Sequence, residues 1–346
     1  MRPTPSPPPI ARDRLVHLLD RMRTRRIAVI GDIMLDRYLI GDTTRLSPEA
    51  PVPVITVRET RSALGGAANV AANVVAIGAT CRLVGAVGDD SHGATIRAEL
   101  AAVGLEVRHL VAIPGRPTTT KTRVLARNQQ VVRIDEEIDL PVSGQDQERL
   151  ISAAQAALVD ADALILEDYN KGALTEALIT AAIAAARRRG IPIVVDPKFR
   201  NFFAFAGATI FKPNRRELEA ALGATLDLSG DNALQQARER LEVDNLLLTL
   251  GAEGMVLVTG DPAITHIGSL AQEVFDVSGA GDTVTAWVAT ALAAGATVRE
   301  AAHVANYAAG LEVGKSGVAT VAPSEVLAVH EQKHDAIGRL RRGGAI

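Results

Sequence analysis

The sequence predicts an α/β protein, a mostly parallel central sheet covered by helices on both faces, with a small antiparallel sheet beside it. Three observations carry this. Short β-branched runs alternate with alanine-rich segments whose apolar residues recur every three and four positions. The strand-like runs are apolar throughout, as strands buried on both faces must be. Two regions, 38–61 and 121–137, break the alternation and read as extended strands with no helix between them.

In chain order, apolar recurrence places a first helix at 12–24, closed by the basic run Arg21 to Arg26 that suits a helix C-terminus. A strand follows at 27–31. The first extended region, 38–61, carries Pro48, Pro51 and Pro53 around an alternating Val52-Val54-Thr56 pattern. Then come a helix at 66–77, a strand at 81–87 and a helix at 92–102, before the second extended region at 121–137. The remainder alternates: helix 144–159, strand 163–166, helix 174–189, strands 191–195 and 209–211, helices 215–222 and 231–241, strands 246–250 and 255–258. Helices at 279–294, 297–312 and 323–334 complete it. Residues 1–10, rich in proline, are expected to be a disordered lead, 11–335 one domain, and 336–346 a basic tail.

Composition excludes several classes. A net charge of −3 and a pI near 6.2 lack the footprint of a nucleic-acid binder. Apolar stretches end after about six to eight residues, far short of a membrane span, and the proline-rich start, 1–9, has no apolar h-region or small-residue cleavage site, so secretion is not expected. The single cysteine, Cys81, allows no internal disulfide or multi-cysteine zinc site and fits the cytoplasm, with burial in a strand as its ordinary role. Only six of the 37 basic residues are lysine, which makes each lysine worth inspecting.

Several strands run into polar residues at their C-terminal ends: Gly31-Asp32, Glu167-Asp168-Tyr169, Asp196-Pro197-Lys198, Lys212-Pro213-Asn214 and Gly251. In an open parallel sheet the ligand crevice lies outside those ends, so these groups are expected to converge. The sharpest local signal is Asp276-Val277-Ser278-Gly279-Ala280-Gly281-Asp282 ahead of an apolar helix. Gly279 and Gly281 permit a tight turn that aims several N–H groups at one point, where the helix start adds positive potential, and this makes an anion hole. Asp282 then stands in the first helical turn, either as a base for a hydroxyl receiving a phosphoryl group or as a plain complement to the helix N-terminus.

Other motifs have two readings each. Gly65-Gly66 with Asn69 permits close backbone approach and offers a donor and an acceptor to a hydroxyl pair, or simply caps a helix. Asp32 and Asp36 are acceptors for sugar hydroxyls or turn formers. Asn214 and Glu217, one turn apart, suit a water-mediated grip on Mg²⁺ and phosphate, and equally an ordinary capping box. Thr249-Leu250-Gly251-Ala252-Glu253-Gly254 has the form of a turn that floors a nucleotide, or of a plain β-turn. Lys171 and the arginines Arg123, Arg127 and Arg133 are candidates for a phosphate already on the substrate, against solvated edge-strand charges. A Walker A loop fails because Ala309 stands where its first glycine belongs, and the dinucleotide fingerprint fails at Val284. Neither zinc-spaced ligands nor a G-x-S-x-G elbow is present.

These motifs together resemble the PfkB, or ribokinase-like, carbohydrate kinases: Gly65-Gly66 with Asn69, Asn-x-x-Glu at 214–217, Thr-Leu-Gly-x-x-Gly at 249–254 and Gly-Ala-Gly-Asp at 279–282, in order across about 25–325. More narrowly, Gly-Asp-x-Met-Leu-Asp-Arg-Tyr at 31–38, Leu-Ser-Pro-Glu-Ala-Pro-Val-Pro-Val at 46–54, Arg-Asn-Gln-Gln at 127–130, Asp-Tyr-x-Lys-Gly at 168–172 and Asp-Val-Ser-Gly-Ala-Gly-Asp-Thr-Val at 276–284 resemble the D-glycero-β-D-manno-heptose 7-phosphate kinases of lipopolysaccharide precursor synthesis. Two departures from the general pattern, Asn69 one residue early and Val277-Ser278 before the glycines, fit the heptose form. Some relatives carry a fused adenylyltransferase with a His-x-Gly-His motif. That motif is absent here, so the kinase half alone is expected.

The resemblance implies a ribokinase-like three-layer αβα sandwich with a small antiparallel β lid formed by about 38–61 and 121–137. It implies ATP and Mg²⁺, a sugar phosphate as acceptor, and a homodimer built through the lid. Asp282 would be the base and Gly279, Ala280 and Gly281 the phosphoryl cradle. Lys212, Asn214, Glu217, Thr249, Gly251, Gly254 and Asn306 would serve the nucleotide, with Asn214 and Glu217 holding Mg²⁺ through water. Asp32, Asp36, Gly65, Gly66 and Asn69 would meet the sugar, and Lys171, Arg123 and Arg127 its phosphate. Asp276 and Gly317 are placed for a monovalent cation such as K⁺. The rival expectations are a kinase of the same family for another sugar phosphate or a nucleoside, and a non-catalytic sensor on the same fold.

Overall fold

The computed structural model describes residues 10–127, 129–226, 231–261, 264–271, 275, 277–315, 317 and 319–343. Helix α1 (Arg12–Met22) leads into β1 (Arg26–Gly31), the centre of the main sheet. The chain then makes a first excursion, β2 (Ile33–Leu46) and β3 (Pro53–Gly66). It returns through α2 (Ala67–Ala76), β4 (Thr80–Gly88), α3 (Ser91–Ala102) and β5 (Leu110–Ile113). A second excursion, β6 (Thr120–Ala126) and β7 (Gln129–Glu136), precedes α4 (Gly144–Leu158), β8 (Ala163–Glu167), α5 (Glu176–Arg189), β9 (Ile193–Asp196), β10 (Ile210–Phe211), α6 (Arg215–Leu222) and α7 (Asp231–Arg240). The antiparallel edge β11 (Asn245–Thr249), β12 (Met255–Val258) and β13 (Thr265–Ile267) is followed by α8 (Ala280–Ala293), α9 (Val298–Glu312) and α10 (Pro323–Gly343).

The main sheet runs β13-β12-β11-β10-β9-β8-β1-β4-β5, parallel except at β12 and β13. Its strands bury both faces. In β1, Ile27 and Val29 pack with α2, α8 and α9, whereas Ala28 and Ile30 pack with α4 and α5, and this two-sided burial explains the continuous apolar runs. From β1 the chain winds outward to β4 and β5, then crosses to β8 and winds the other way. The switch point therefore lies between β1 and β8, and the crevice outside it is where a ligand is expected.

The two excursions form one four-stranded sheet, β3-β2-β6-β7, its outer pairs antiparallel and its middle pair, β2 with β6, parallel. Gly41 lies at a register shift of β2, where a Cβ would stand 2.2 Å from the Thr56 carbonyl, so no other residue fits there. All eight residues of β7 are exposed.

The short edge strands β5 and β13 had no counterpart in the sequence reading. The last helix runs on to Gly343, past the expected end at 334. Of the expected N-terminal lead only Ile10 is described, and it is buried with its carbonyl against His330. Among the described residues no helix is long and apolar enough to cross a membrane.

Candidate active site

The strand-end residues converge as the topology requires. Asp32, just after β1, spans the switch point: its Oδ2 accepts the backbone N–H groups of Tyr169 and Lys171, both at 2.8 Å, and its Oδ1 accepts that of Ala173 at 2.9 Å. Burial raises its carboxyl above the usual range, against the pull of those three donors. In the structure Asp32 thus fixes the loop after β8, a task that sequence reading did not foresee beside the sugar contact expected of it.

Asp282 sits in the first turn of α8, whose N-cap is Gly279 at φ 96°. Its Oδ2 accepts from Asn69 Nδ2 at 2.7 Å and its Oδ1 from the Tyr169 hydroxyl at 2.9 Å. Burial pushes its carboxyl up to about 6, the charge of Asp196 adds to this, and the two hydrogen bonds work against it. A carboxylate held at both oxygens and poised near neutrality has the equipment of a general base.

Asn69 does not have the free amide expected for a hydroxyl pair. Its Nδ2 is given to Asp282, because α2 packs directly on α8, and its Oδ1 receives Asn73 Nδ2 from the next turn of the same helix at 3.3 Å. The glycine pair is likewise fitted to the protein itself. A Cβ on Gly65 would stand 2.7 Å from Asp36 Oδ2, and one on Gly66 (φ 57°) 2.5 Å from the Asp32 carbonyl.

A cavity of about 450 Å³ opens at Asp282 and extends along the ends of β9, β10 and β11. Lys212, Asn214, Glu217, Thr249, Gly251, Gly254 and Asn306 all line it, together with Gly279, Ala280 and Gly281. Every residue expected around a nucleotide is thereby brought to one cavity. Asn214 and Glu217 do form the capping box: Asn214 Oδ1 accepts Glu217 N at 2.9 Å and Glu217 Oε2 accepts Asn214 N at 2.8 Å. Glu217 Oε1 also takes Lys198, and a carboxylate or amide oxygen can accept more than one hydrogen bond, so these two cavity-lining residues fit a hydrated Mg²⁺. Gly254, at φ 94°, passes so close to the Ile267 carbonyl that a Cβ would be 2.1 Å from it. Asn306 is turned toward Gly268, donating to its carbonyl at 2.8 Å.

Lys212 is buried, and its Nζ donates to Asp196 Oδ2 at 2.6 Å. Burial works against its charge, but Asp196 and Glu167 outweigh this and hold the ammonium above its ordinary value. Lys198, whose Nζ lies 5.0 Å from the Tyr169 ring centre, is raised in the same way by Asp196 and Glu217. Tyr169, Asp196 and Lys198 were visible in the sequence as strand-end polar residues, but only the fold assigns them to Asp282 and the cavity.

The residues expected on the acceptor side lie outside this cavity lining, toward the lid. Asp36 is paired with Arg123, whose guanidinium also covers the Tyr38 ring. Lys171 Nζ is 2.7 Å from Glu137 Oε1, and Lys121 holds the other oxygen of the same carboxylate at 2.9 Å. Arg127 is exposed at φ 57°, its backbone N–H on the Gly41 carbonyl, and Arg133 is exposed against Asp135. These two are not gathered with the others. Gly317 turns at φ 72°, and Asp276 lies outside the described residues.

A family model described as pfkB family carbohydrate kinase matches residues 24–325. A protein of Azorhizobium caulinodans named bifunctional protein HldE is 46% identical over 308 residues, which cover 88% of this chain and 64% of that one. A second of the same name, from Trichlorobacter lovleyi, is 42% identical over 321 residues, covering 92% and 65%. The chain spans somewhat less than two thirds of the length of these curated relatives. Among solved structures, a ribokinase of Arabidopsis thaliana complexed with ribose and ATP superposes with a TM-score of 0.70 at 22% identity, over 88% of this chain and 98% of that one. Phosphofructokinase-2 of Escherichia coli in complex with potassium gives 0.72 at 16% identity, over 89% and 98%. Both are likenesses of fold.

Proposed function

Because the chain belongs to the pfkB family of carbohydrate kinases, phosphotransferases with an alcohol group as acceptor, we propose that it transfers the terminal phosphoryl group of ATP to the anomeric hydroxyl of D-glycero-β-D-manno-heptose 7-phosphate, giving the 1,7-bisphosphate. The observation that carries the reading is Asp282, held at both oxygens beside the glycine turn at one end of the cavity. The motifs at 31–38, 46–54 and 168–172 and the likeness to the HldE proteins support the heptose as acceptor.

In this reading Asp282 takes the hydroxyl proton as the phosphoryl group arrives, and the proton stays on its carboxyl until product leaves. The backbone N–H groups of Gly279 to Gly281 and the start of α8 hold the charge that develops on the transferring group. Asn214 and Glu217 would hold Mg²⁺ through water, and the metal would supply charge neutralisation on the phosphates. Thr249, Gly251, Gly254 and Asn306 receive the nucleotide. Asp32 and Asn69 act through what they hold, the loop carrying Tyr169 and Lys171 and the base itself. Lys171 and Arg123 are the cations offered to the acceptor's own phosphate. The lid excludes water, since hydrolysis of ATP is the competing reaction.

Phosphorus NMR of ATP-dependent product formation tests this, with heptose 7-phosphate, fructose 6-phosphate, ribose and adenosine supplied separately. A new anomeric phosphate with the heptose alone is the expected result. Turnover of another acceptor keeps the kinase and discards the heptose; no turnover of any favours a sensor.

A further inference from the structure

One buried acid of the site has no task in the reaction above. Glu167 ends β8 with 0% of its surface exposed, and neither of its carboxyl oxygens has a hydrogen-bond partner. Strand register, not loop conformation, puts it there. In the parallel β8–β9 ladder Glu167 stands opposite Asp196, and the next strand end brings Lys212, whose backbone N–H bonds to the Val195 carbonyl. Asp282 faces the same point from α8, and one oxygen from each of the three carboxylates falls within a 4.8 Å spread.

Three ionised carboxylates in this space would face Lys212 from inside, with Lys198 alongside but tied to Glu217. A buried carboxylate with no donor is costly, and adjacent carboxylates resolve the conflict by keeping a proton. The charged groups facing Glu167 are Asp196 and Lys198 at the end of β9, Lys212 at the end of β10 and Asp282 on α8. Burial, then Asp196 and Asp282, drive its carboxyl well above the ordinary range, and the two lysines do not reverse this.

We propose that Glu167 is a positioning residue carried as the uncharged acid beside the Asp196 and Asp282 carboxylates, so that Lys212 is held by one carboxylate instead of two and is free to turn to the anion hole. The ammonium is already at the rim: a Cβ built on Gly281 would lie 3.5 Å from Lys212 Nζ and 3.7 Å from Asp196 Oδ2. An ionised Glu167 would draw Lys212 back into the sheet end and set a third negative charge behind the base. The use made of Lys212 rests on the kinase reading; the protonation of Glu167 does not.

The test is infrared difference spectroscopy on the full chain at about pH 8, above the range where Asp282 and Asp168 titrate. The wild type is expected to show a protonated-carboxyl C=O band that E167Q lacks. The pH profile of kcat is the second readout. In the wild type kcat declines on the alkaline side as Glu167 ionises, whereas E167Q, unable to ionise, keeps its plateau at a kcat lowered by about threefold. A band absent from the wild type, as an ionised Glu167 held by a cation would give, overturns the proposal. So does a band that survives in E167Q, or alkaline limbs that coincide. Should E167Q not fold, the wild-type band decides alone: it must be present at about pH 8 and disappear in step with the alkaline limb. Failure of the kinase reading is distinct, since it leaves no turnover with any acceptor while the band is untouched.

Discussion

Asn69 and Asp282, 213 positions apart in the chain, are joined by a 2.7 Å hydrogen bond inside the protein. The contact ties α2 to α8 and is braced in turn, since Asn73 Nδ2 donates to the Asn69 carbonyl at 3.1 Å and Thr283 Oγ1 donates to Asn73 Oδ1 at 3.2 Å. The Asn69 bond lowers the pKa of Asp282, so its loss leaves the carboxylate harder to ionise. In Asn69→Ala the acidic limb of kcat/KM is expected to move up by about one unit, a shift of the size a hydrogen bond to a charged group supports. A pH–rate series decides it: a limb that stays in place removes Asn69 from any control of the base.

Asp282→Asn is expected to lower kcat by roughly a thousandfold, within the range assigned to a positioned base. Its effect on stability has the opposite sign. The folded pKa of about 6 lies above the ordinary 3.8, so the native state binds more protons than the unfolded chain between those values. Stability from this group is full below the unfolded pKa and is lost as pH rises through about 6. The neutral amide escapes that loss, and Asp282→Asn should melt higher than wild type at about pH 8 and close to it at about pH 4. Melting curves at the two pH values test it, and a variant less stable than wild type at both refutes the account.

Lys171 and Lys121 share one carboxylate, Glu137, in the structure. If Lys171 serves the acceptor's phosphate, Lys171→Met raises KM for a phosphorylated acceptor by about tenfold or more and leaves KM for ATP unchanged, as loss of one charged contact would. Equal increases for both substrates would make the residue a structural one.

Gly254→Ala puts a methyl group 2.1 Å from the Ile267 carbonyl at φ 94°, which strains the turn twice over. A loss of about 3 kcal/mol in unfolding free energy is expected, with ATP affinity falling alongside. Chemical denaturation measures the first, and a loss under about 1 kcal/mol would mean that the turn yields easily.

The fold was largely legible because strands buried on both faces write themselves as apolar runs, and the polar residues that end them, from Asp32 to Gly251, marked the crevice. What stayed hidden was pairing. Nothing near Asn69 in the sequence points to Asp282, and nothing near Glu137 shows that it occupies both Lys171 and Lys121. The capping box at Asn214 shows a different limit. Local chemistry and site chemistry call for the same two residue types at the same spacing, and only the cavity beside them supports the second reading.

The small sheet enters the chain as two excursions, β2 with β3 and β6 with β7, while Lys212, Thr249 and Asp282 come from strand ends of the main sheet and from α8. On the proposed reading, the acceptor contacts of Asp36 and Arg123 and the phosphoryl chemistry of Asp282 therefore sit on separate stretches of sequence, with Lys171 joining them from the loop after β8. On that reading, drift within the excursions would change contacts to the sugar while the sheet register keeps Glu167, Asp196 and Lys212 in line, so a new substrate could be acquired without reinventing the catalyst.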